Sequence, residues 1–345
     1  MPNRVVMAPM TRCRAIDNTP NAMMAEYYAQ RAGAGLIVTE GTSPSPNGLG
    51  YPRIPGAFSD AQMAGWKAVT TAVHDRGGRI FLQLMHSGRI SHPVNMADDA
   101  RILAPSAVTA AGEMFTDELG PQPHAEPQAM SLADIAGTQQ EYADAAGNAI
   151  EAGFDGVELH GANGYLPEQF ISPGTNQRSD EYGGSLENRC RFIIETATRI
   201  AAATGPGRCG VRLSPYGVFN DMPLYDDIDA TYRHLATSFS PLKLAYLHVI
   251  DMSSQGAHEV PLALKREIKA LFDGSLILNG GFDRDTAEAA IDAGNADLVS
   301  FGMPFVANPD LVTRMEHGLA LTEADPDTLY SAGPEGYTDY ARAAG

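Results

Sequence analysis

Short runs of apolar and β-branched residues recur along this chain, and each run ends near a Gly, Pro, Ser or Asn. Longer stretches lie between them, in which apolar residues return every three or four positions as in an amphipathic helix. The short runs are typical of buried strands bounded by turns. The predicted strands cover residues 4–9, 35–41, 79–88, 154–161, 207–215, 245–253, 274–281 and 296–304.

Each predicted strand is followed by a predicted helix, and Asp, Ser or Asn often stands at the helix start as an N-cap. Helices are expected at residues 21–33, 60–77, 131–152, 185–203, 227–239, 258–272, 284–293 and 309–318. Eight such units predict an α/β fold, a closed (β/α)8 TIM barrel in which residues 1–345 form a single domain. A doubly wound open sheet is the alternative, disfavoured because no GxGxxG follows the first strand.

The segment after the third strand, residues 89–130, interrupts this alternation. It is rich in Pro and Gly and much longer than an ordinary connection between a strand and a helix. We expect it to form a lid or a small hairpin that shapes a substrate pocket. The chemistry of a TIM barrel lies at the carboxyl ends of its strands, so polar residues there are the candidate functional residues.

Composition and charge narrow the classes of function. Apolar residues make up 44% and charged residues 19% of the chain, and no apolar run approaches the roughly 18 residues of a membrane helix. The net charge of −18 disfavours binding to nucleic acid or to a membrane surface, so small-molecule chemistry is expected. Three scattered cysteines (Cys13, Cys190, Cys209) and the lack of a secretory signal favour the cytoplasm.

The end of the fourth predicted strand carries a dense group of hydrogen-bonding side chains. In "VELHGANGYLPEQFISP", residues 157–173, three of them fall within six positions: His160, Asn163 and Tyr165. A single His or Asn in a turn is usually structural, but three together at the end of a barrel strand favour an active site. Other strand ends contribute the motifs "APMTR", "TEG", "LQLMHSG", "VRLSP", "NGGF" and "FGMPF".

In this order, the motifs resemble those of the Old Yellow Enzyme family of flavin-dependent ene-reductases. The resemblance extends to "SPGTNQRSDEYGGSLENRCRF" at residues 172–192 and "EGYTDY" at residues 335–340. It implies a non-covalently bound FMN, reduced by NADPH or NADH, that passes hydride to the β-carbon of an activated alkene. It also implies that His160 and Asn163 donate hydrogen bonds to the substrate oxygen and that Tyr165 protonates the α-carbon.

The chemistry of these side chains agrees with the implied roles. Hydride arriving at the β-carbon drives negative charge onto the carbonyl or nitro oxygen, where neutral donors such as His160 and Asn163 stabilise it. Tyrosine has an ordinary pKa of about 10, so Tyr165 keeps its proton near pH 7 and can deliver it to carbon.

The resemblance also implies which residues contact FMN. Thr11 bonds the flavin O4, Gly41 permits close backbone approach, and the amide of Gln83 meets the pyrimidine edge. Arg212 places a positive charge near N1 and O2, although in isolation it reads as an ion-pair partner of Glu158. The phosphate is expected by strands seven and eight. The full predicted cofactor-binding set is Pro9, Met10, Thr11, Gly41, Gln83, Arg212, Gly280, Gly281, Gly302 and Met303.

Three features depart from the family pattern. Met303 replaces the arginine that grips the FMN phosphate, a loss of roughly 1.5 to 3 kcal/mol, so FMN is expected to dissociate readily unless Arg284 or another cation reaches over. Met85 stands where many relatives have a tryptophan beside the substrate, so stereochemical preference does not carry over. The chain starts almost on strand one, without the extension of relatives, and exposed apolar surface is expected at the barrel bottom.

Two aromatic residues, Tyr28 and Phe219, match family positions near the substrate, although such residues more often serve packing. The predicted substrate-binding set is therefore His160, Asn163, Tyr28, Phe219 and Met85. No metal site is expected, because His86, His92 and His124 show no HxH or HExxH spacing.

The function predicted from these residues is reduction of the C=C bond of α,β-unsaturated carbonyl or nitro compounds by an FMN-dependent oxidoreductase, a monomer or homodimer, that takes hydride from NADPH or NADH. One alternative is a reductase of nitroesters or nitroaromatics, in which Tyr165 matters less. Another is a weakly flavin-binding barrel that only binds phenolic or carbonyl ligands. A flavin-free aldolase or lyase is disfavoured because no lysine ends a strand to form a Schiff base.

Overall fold

A computed structural model describes residues 1–343 and confirms the predicted (β/α)8 barrel. The barrel strands are β1 (Val5–Met7), β2 (Leu36–Val38), β3 (Ile80–Leu84), β4 (Gly156–Gly161), β5 (Cys209–Leu213), β6 (Tyr246–Ile250), β7 (Ser275–Asn279) and β8 (Leu298–Phe301). Neighbouring strands pair in parallel around the ring. Because β1 pairs with both β2 and β8, the sheet is closed, which excludes the doubly wound alternative.

One main helix follows each strand. These helices are α1 (Ala22–Gln30), α2 (Asp60–His74), α3 (Leu132–Glu151), α4 (Leu186–Thr204), α5 (Ile228–Phe239), α6 (Leu262–Leu271), α7 (Arg284–Asp292) and α8 (Leu311–His317). Capping hydrogen bonds define where several of these helices begin. At the start of α2, the Ser59 side chain accepts the N–H of Gln62, and the Gln62 side chain accepts the N–H of Ser59. Ser131 and Asp134 form the same capping box at the start of α3.

The interior of the barrel has an apolar floor. Inward side chains near the amino ends of the strands pack as one buried cluster: Val6, Leu36, Val38, Phe81, Tyr246, Ile277 and Leu298. Gly210 makes room for this packing, since a Cβ there would lie 2.3 Å from the Tyr246 ring. Each member of the cluster is at most 8% exposed, so these side chains do not form the exposed apolar surface expected at the barrel bottom.

Positions two apart on a strand point to the same side of the sheet. Two residues beyond the apolar floor, the inward position of several strands is found to be polar. Phe81 is followed by Gln83, Tyr246 by His248 and Leu298 by Ser300, and all of these side chains are buried. Glu158 of β4 and Arg212 of β5 join this polar layer. The buried polar layer therefore lies on the carboxyl side of the apolar floor, where the long loops gather.

The excursion at residues 89–130 contains two small sheets. They are an antiparallel hairpin of Glu113–Thr116 with Gly120–Pro123 and a short ladder of Leu103–Ala104 with Gln128–Ala129. Arg89 ties its start to the loop after β5, because the guanidinium donates to the carbonyl of Asp221 over 2.6 Å. The excursion is thus anchored beside the barrel mouth.

Two short helices lie outside the regular repeat, Leu166–Ile171 after β4 and Met303–Ala307 after β8. The tail after α8 returns to the start of the chain, where the ring of Tyr337 stacks on Tyr27 at 4.0 Å. Within residues 1–343, no helix combines the length and apolar character that crossing a membrane requires.

Candidate active site

A tight turn after β4 brings the three predicted catalytic side chains together. The N–H of Tyr165 donates to the carbonyl of Ala162 over 3.3 Å, which closes the turn. Asn163 and Gly164 have φ of +60° and +75°, the left-handed region that Asn and Gly tolerate best. As a result, the ring centroids of His160 and Tyr165 are 4.8 Å apart, and Asn163 lies between them in the chain.

His160 is held as a neutral hydrogen-bond donor. Its Nδ1 accepts the N–H of Ala162 over 3.3 Å, which assigns the ring proton to Nε2. Burial lowers the pKa of His160 well below its usual range, and the charges of Arg212 and His248 lower it further. The imidazole therefore keeps a single N–H to offer to an oxygen across the neutral pH range.

Asn163 is fixed through its backbone and has unused capacity in its side chain. Its N–H donates to Ser214 Oγ over 2.9 Å, and its carbonyl accepts from Asn220 Nδ2 over 2.8 Å. Its Oδ1 is buried without a hydrogen-bond partner among residues 1–343. Buried polar atoms are almost always paired in folded proteins, so this amide oxygen is prepared to accept from an external donor.

Tyr165 is buried at the same corner and keeps its proton. Its hydroxyl donates to the hydroxyl of Tyr51 over 3.1 Å, and the two rings meet edge to face. Burial raises the pKa of Tyr165 well above its usual range, and Tyr51 adds to the effect. The phenol is therefore a proton donor rather than a base. Nothing in the sequence pattern indicated Tyr51, which is 114 residues away.

A chain of buried hydrogen bonds supports the polar layer of the barrel. Glu158 accepts from Gln83 Nε2 over 2.8 Å and from His248 Nδ1 over 2.9 Å, and His248 Nε2 lies 2.7 Å from Ser300 Oγ. Burial opposes ionisation of Glu158, but His248 and its other neighbours lower the pKa below the usual range. The side chain bonded to Glu158 is thus His248, whereas sequence reasoning suggested Arg212. Burial lowers the pKa of His248, so near neutral pH this contact is a hydrogen bond rather than an ion pair.

Arg212 retains unused donors that fit a flavin. One terminal nitrogen donates to Asn279 Oδ1 over 3.0 Å, while Nε is buried without a partner among the residues described. A buried guanidinium N–H left unpaired is costly, so an acceptor from outside the protein is expected there. The acceptor-rich pyrimidine edge of FMN has the required chemistry, and Gln83 stands on the same polar layer.

The remaining predicted ring contacts converge on the side of β1, β2, β3 and β8. Pro9 is buried, and Met10 and Thr11 are half-buried at the end of β1. A Cβ on Gly41 would lie 2.4 Å from Met85 Sδ, and one on Gly302 would lie 2.9 Å from Met10 Sδ. These two glycines therefore sit in close contact with methionines predicted to line the cofactor and substrate sites.

The predicted phosphate end is open. Gly280 and Gly281 both have positive φ, and Met303 is 46% exposed at the start of its short helix. Arg284 lies on α7, where its Nε donates to Glu288 over 3.3 Å as an i,i+4 pair. The guanidinium of Arg284 thus forms a solvent-exposed ion pair within its own helix.

The two predicted aromatic contacts differ in environment. Tyr28 is 1% exposed, and its hydroxyl donates to Glu40 Oε1 over 3.2 Å and accepts the N–H of Glu40 over 2.9 Å. Phe219 is 47% exposed in the loop that packs over Gly164. No group of three or more His, Cys, Asp or Glu able to hold a metal ion occurs within residues 1–343.

Two residues of this corner carried only a weak signal in the sequence, Ser214 and Glu168. Glu168 interrupts the apolar stretch "LPEQFI" and is 5% exposed, and Ser214 ends β5 within "VRLSP". A buried acid in an apolar helix is unusual and indicates a specific partner. The identity of that partner depends on contacts between distant parts of the chain.

Known proteins resemble this chain along nearly its whole length. Residues 1–322 match the NADH:flavin oxidoreductase / NADH oxidase family. A probable flavin mononucleotide-dependent alkene reductase of Leishmania infantum is 42% identical, with 98% of this chain and 93% of that protein aligned. 12-Oxophytodienoate reductase 7 of Oryza sativa subsp. japonica is 39% identical, with 98% and 90% aligned.

Solved structures give the same picture. Morphinone reductase superposes with a TM-score of 0.96 at 43% identity, covering 99% of this chain and 93% of that one. Morphinone reductase has also been solved in complex with tetrahydroNAD. The Old Yellow Enzyme homologue from Zymomonas mobilis superposes with a TM-score of 0.94 at 42% identity, covering 98% and 95%.

Proposed function

Since this chain belongs to the NADH:flavin oxidoreductase / NADH oxidase family, we propose that it is an FMN-dependent alkene reductase. It takes hydride from NADPH or NADH and reduces the activated C=C bond of α,β-unsaturated carbonyl or nitro compounds. The observation that carries this proposal is the corner where His160 and Tyr165 lie 4.8 Å apart beside Asn163.

Bound FMN supplies the redox chemistry, since it accepts hydride from a nicotinamide and gives it to carbon. The residues that would hold its ring are Arg212, whose buried Nε lacks a partner, together with Gln83 and Thr11. The side chains of Met85 and Met10, which pack closely on Gly41 and Gly302, would lie beside the ring. The loops after β7 and β8 would receive the phosphate.

His160 and Asn163 bind and polarise the substrate oxygen. His160 donates from Nε2 because its Nδ1 is occupied by a backbone N–H, and Asn163 contributes an amide whose position the turn fixes. Loss of one such donor typically lowers the rate by about 10²- to 10³-fold. Tyr165 holds its proton at the phenol oxygen and delivers it to the α-carbon.

The same donors suit the reductant. The carboxamide oxygen of a nicotinamide is an acceptor of the same kind as an enone oxygen, so both reactants compete for His160 and Asn163. Because they share one binding corner, turnover is ping-pong: the nicotinamide leaves before the alkene enters. We place the enzyme in the cytoplasm, in keeping with Cys13, Cys190 and Cys209, which are buried free thiols.

A visible spectrum of the purified protein tests the proposal. We expect the absorbance of oxidised flavin, bleached by NADPH or NADH without oxygen and restored by cyclohexenone. A colourless preparation that added FMN does not restore would contradict the proposal and favour a barrel that only binds ligands.

A further inference from the structure

The turn that carries Asn163 and Tyr165 has no strand partner, so side chains must satisfy its backbone N–H groups. The N–H of Gly164 donates to Glu168 Oε2 over 2.5 Å. The N–H of Asn163 donates to Ser214 Oγ over 2.9 Å, and Ser214 Oγ donates to Glu168 Oε1 over 2.6 Å. Both oxygens of one carboxylate therefore hold two successive peptide groups of the turn.

Glu168 is also restrained from the opposite side. The hydroxyl of Tyr232 on α5 donates to its Oε1 over 3.2 Å. Its own helix, Leu166–Ile171, packs on α4, where Arg189 donates to the carbonyl of Ile171. The charge of Arg189 is directed at Asp227, with two bonds of 2.8 and 2.9 Å. Among residues 1–343, the carboxylate thus has three donors and no cation in direct contact.

The other titratable groups near Glu168 stay neutral at ordinary pH. Burial raises the pKa of Tyr232 and of Tyr225, and the charge of Glu168 contributes to both shifts. Burial likewise raises the pKa of the Cys190 thiol on α4 to about 12. Glu168 is therefore the group in this cluster that changes charge near neutrality, since burial raises its own pKa to about 7.

We propose that Glu168 is a positioning residue that, through Gly164 and Ser214, sets how Asn163 and Tyr165 are presented to the substrate. The inference rests on the proposed function, because it concerns the same oxygen-binding corner. A carboxylate is suited to this task because, when ionised, it accepts hydrogen bonds at both oxygens and donates none. A glutamine presents one acceptor and one amide donor, so either Gly164 or Ser214 would face a donor instead.

Protonation has a similar consequence. A neutral carboxyl group carries a hydrogen on one oxygen, which then competes with the donors that point at it. The turn is therefore held most firmly when Glu168 is ionised. His160 and Tyr165 do not titrate near neutrality, since burial shifts the pKa of His160 down and that of Tyr165 up.

The test uses the FMN-loaded protein and tetrahydroNAD, a nicotinamide that cannot give up hydride. Its dissociation constant is read from the change in flavin absorbance for the wild type and for Glu168→Gln. We expect the variant to bind it about tenfold more weakly and to reduce cyclohexenone about 10- to 100-fold more slowly, because small misplacements of positioned groups are costly. FMN affinity should change by less than about twofold, because Glu168 faces the turn rather than the ring.

The pH profile separates positioning from a purely structural role. Wild-type affinity for tetrahydroNAD should fall as the pH is lowered through about 7, the pKa of Glu168. The affinity of Glu168→Gln should stay flat over the same range. Glu195→Gln is the matched control: this acid on α4 accepts from Tyr182 over 2.8 Å and from Gln139 over 3.0 Å, away from the turn. It should match the wild type.

Ser214→Ala gives a second route if Glu168→Gln does not fold. It removes the link from Asn163 to Glu168 and should weaken tetrahydroNAD binding in the same direction, with less than additive effects in the double variant. The inference is overturned if folded Glu168→Gln or Ser214→Ala binds tetrahydroNAD as the wild type does, with an unchanged pH profile. A wild type that holds FMN yet binds neither tetrahydroNAD nor cyclohexenone contradicts the proposed function instead.

Discussion

Glu168 should make the stability of the fold depend on pH in a defined direction. Burial raises its pKa from the ordinary 4.5 to about 7 in the folded chain, although Ser214, Gly164 and Tyr232 all donate to it. Between these two values the unfolded chain releases the proton while the folded chain keeps it. The folded state then binds more protons, so the free energy of unfolding falls as the pH rises and levels off above about 7.

The size of the effect follows from the same two values. The difference between about 7 and 4.5 is about 2.5, and at about 1.4 kcal/mol for each unit of pKa it corresponds to about 3 kcal/mol over the whole window. The side chain is 5% exposed, so solvent screens this cost little. Most of the effect, about 2.5 kcal/mol, falls between roughly pH 5 and pH 8.

The assay compares urea unfolding of the wild type and Glu168→Gln at several pH values, with FMN in constant excess. Trp66, the single tryptophan, is fully buried and reports unfolding by its fluorescence. Groups common to both proteins cancel in the difference, including Glu40, whose pKa burial also raises to about 7. The difference in free energy of unfolding between the wild type and the variant should change across roughly pH 5 to 8. The reasoning is refuted if this difference stays constant within about 0.5 kcal/mol.

Three further changes test other parts of the site. Met303→Arg should tighten FMN binding about ten- to a hundredfold, whereas Met303→Leu should not. The measurement is the flavin retained after dilution and gel filtration. Equal flavin occupancy in the two variants would contradict the assigned phosphate end. Tyr165→Phe should slow cyclohexenone reduction by about 10²-fold or more but leave nitroester reduction nearly unchanged, and equal losses would remove Tyr165 from proton transfer. Gly164 has φ of +75°, and a Cβ added there would lie 2.8 Å from the carbonyl oxygen of Phe219, whereas Gly205 has φ of +85° and open space around it. Gly164→Ala should therefore lower thermal stability and activity more than Gly205→Ala does. Equal losses would argue against close packing at the turn.

The fold was predictable because each barrel strand is a short apolar run followed by its own helix. The predicted strand bounds were too long where a strand continues into a functional loop. Residues 79–88 were predicted as one strand, but regular pairing ends at Leu84, and the following residues curve around the mouth. A polar strand end looks like strand in sequence because the same alternation continues for a few residues beyond the last ladder bond.

The supporting contacts of the site were not predictable, because they join distant parts of the chain. Glu168 and Ser214 are separated by 46 residues, and Glu158 and His248 by 90. A single sequence shows that such residues are polar in apolar surroundings, which indicates that each needs a partner. It does not show which partner the closure of the barrel supplies. That is why Glu158 was paired with Arg212 in sequence reasoning, whereas His248 fills the place.

The pH response of the oxygen-binding corner follows from how its charges are arranged. The groups that would touch the substrate are neutral, because burial lowers the pKa of His160 and raises that of Tyr165, so neither changes its charge near neutrality. The charge that does change lies one layer behind them, on Glu168, where it acts on the backbone of the turn. Substrate-binding donors thus keep one protonation state while their placement responds to pH. For this reason, acidification should weaken binding of the oxygen-bearing ligand before it alters the chemistry of the donors themselves.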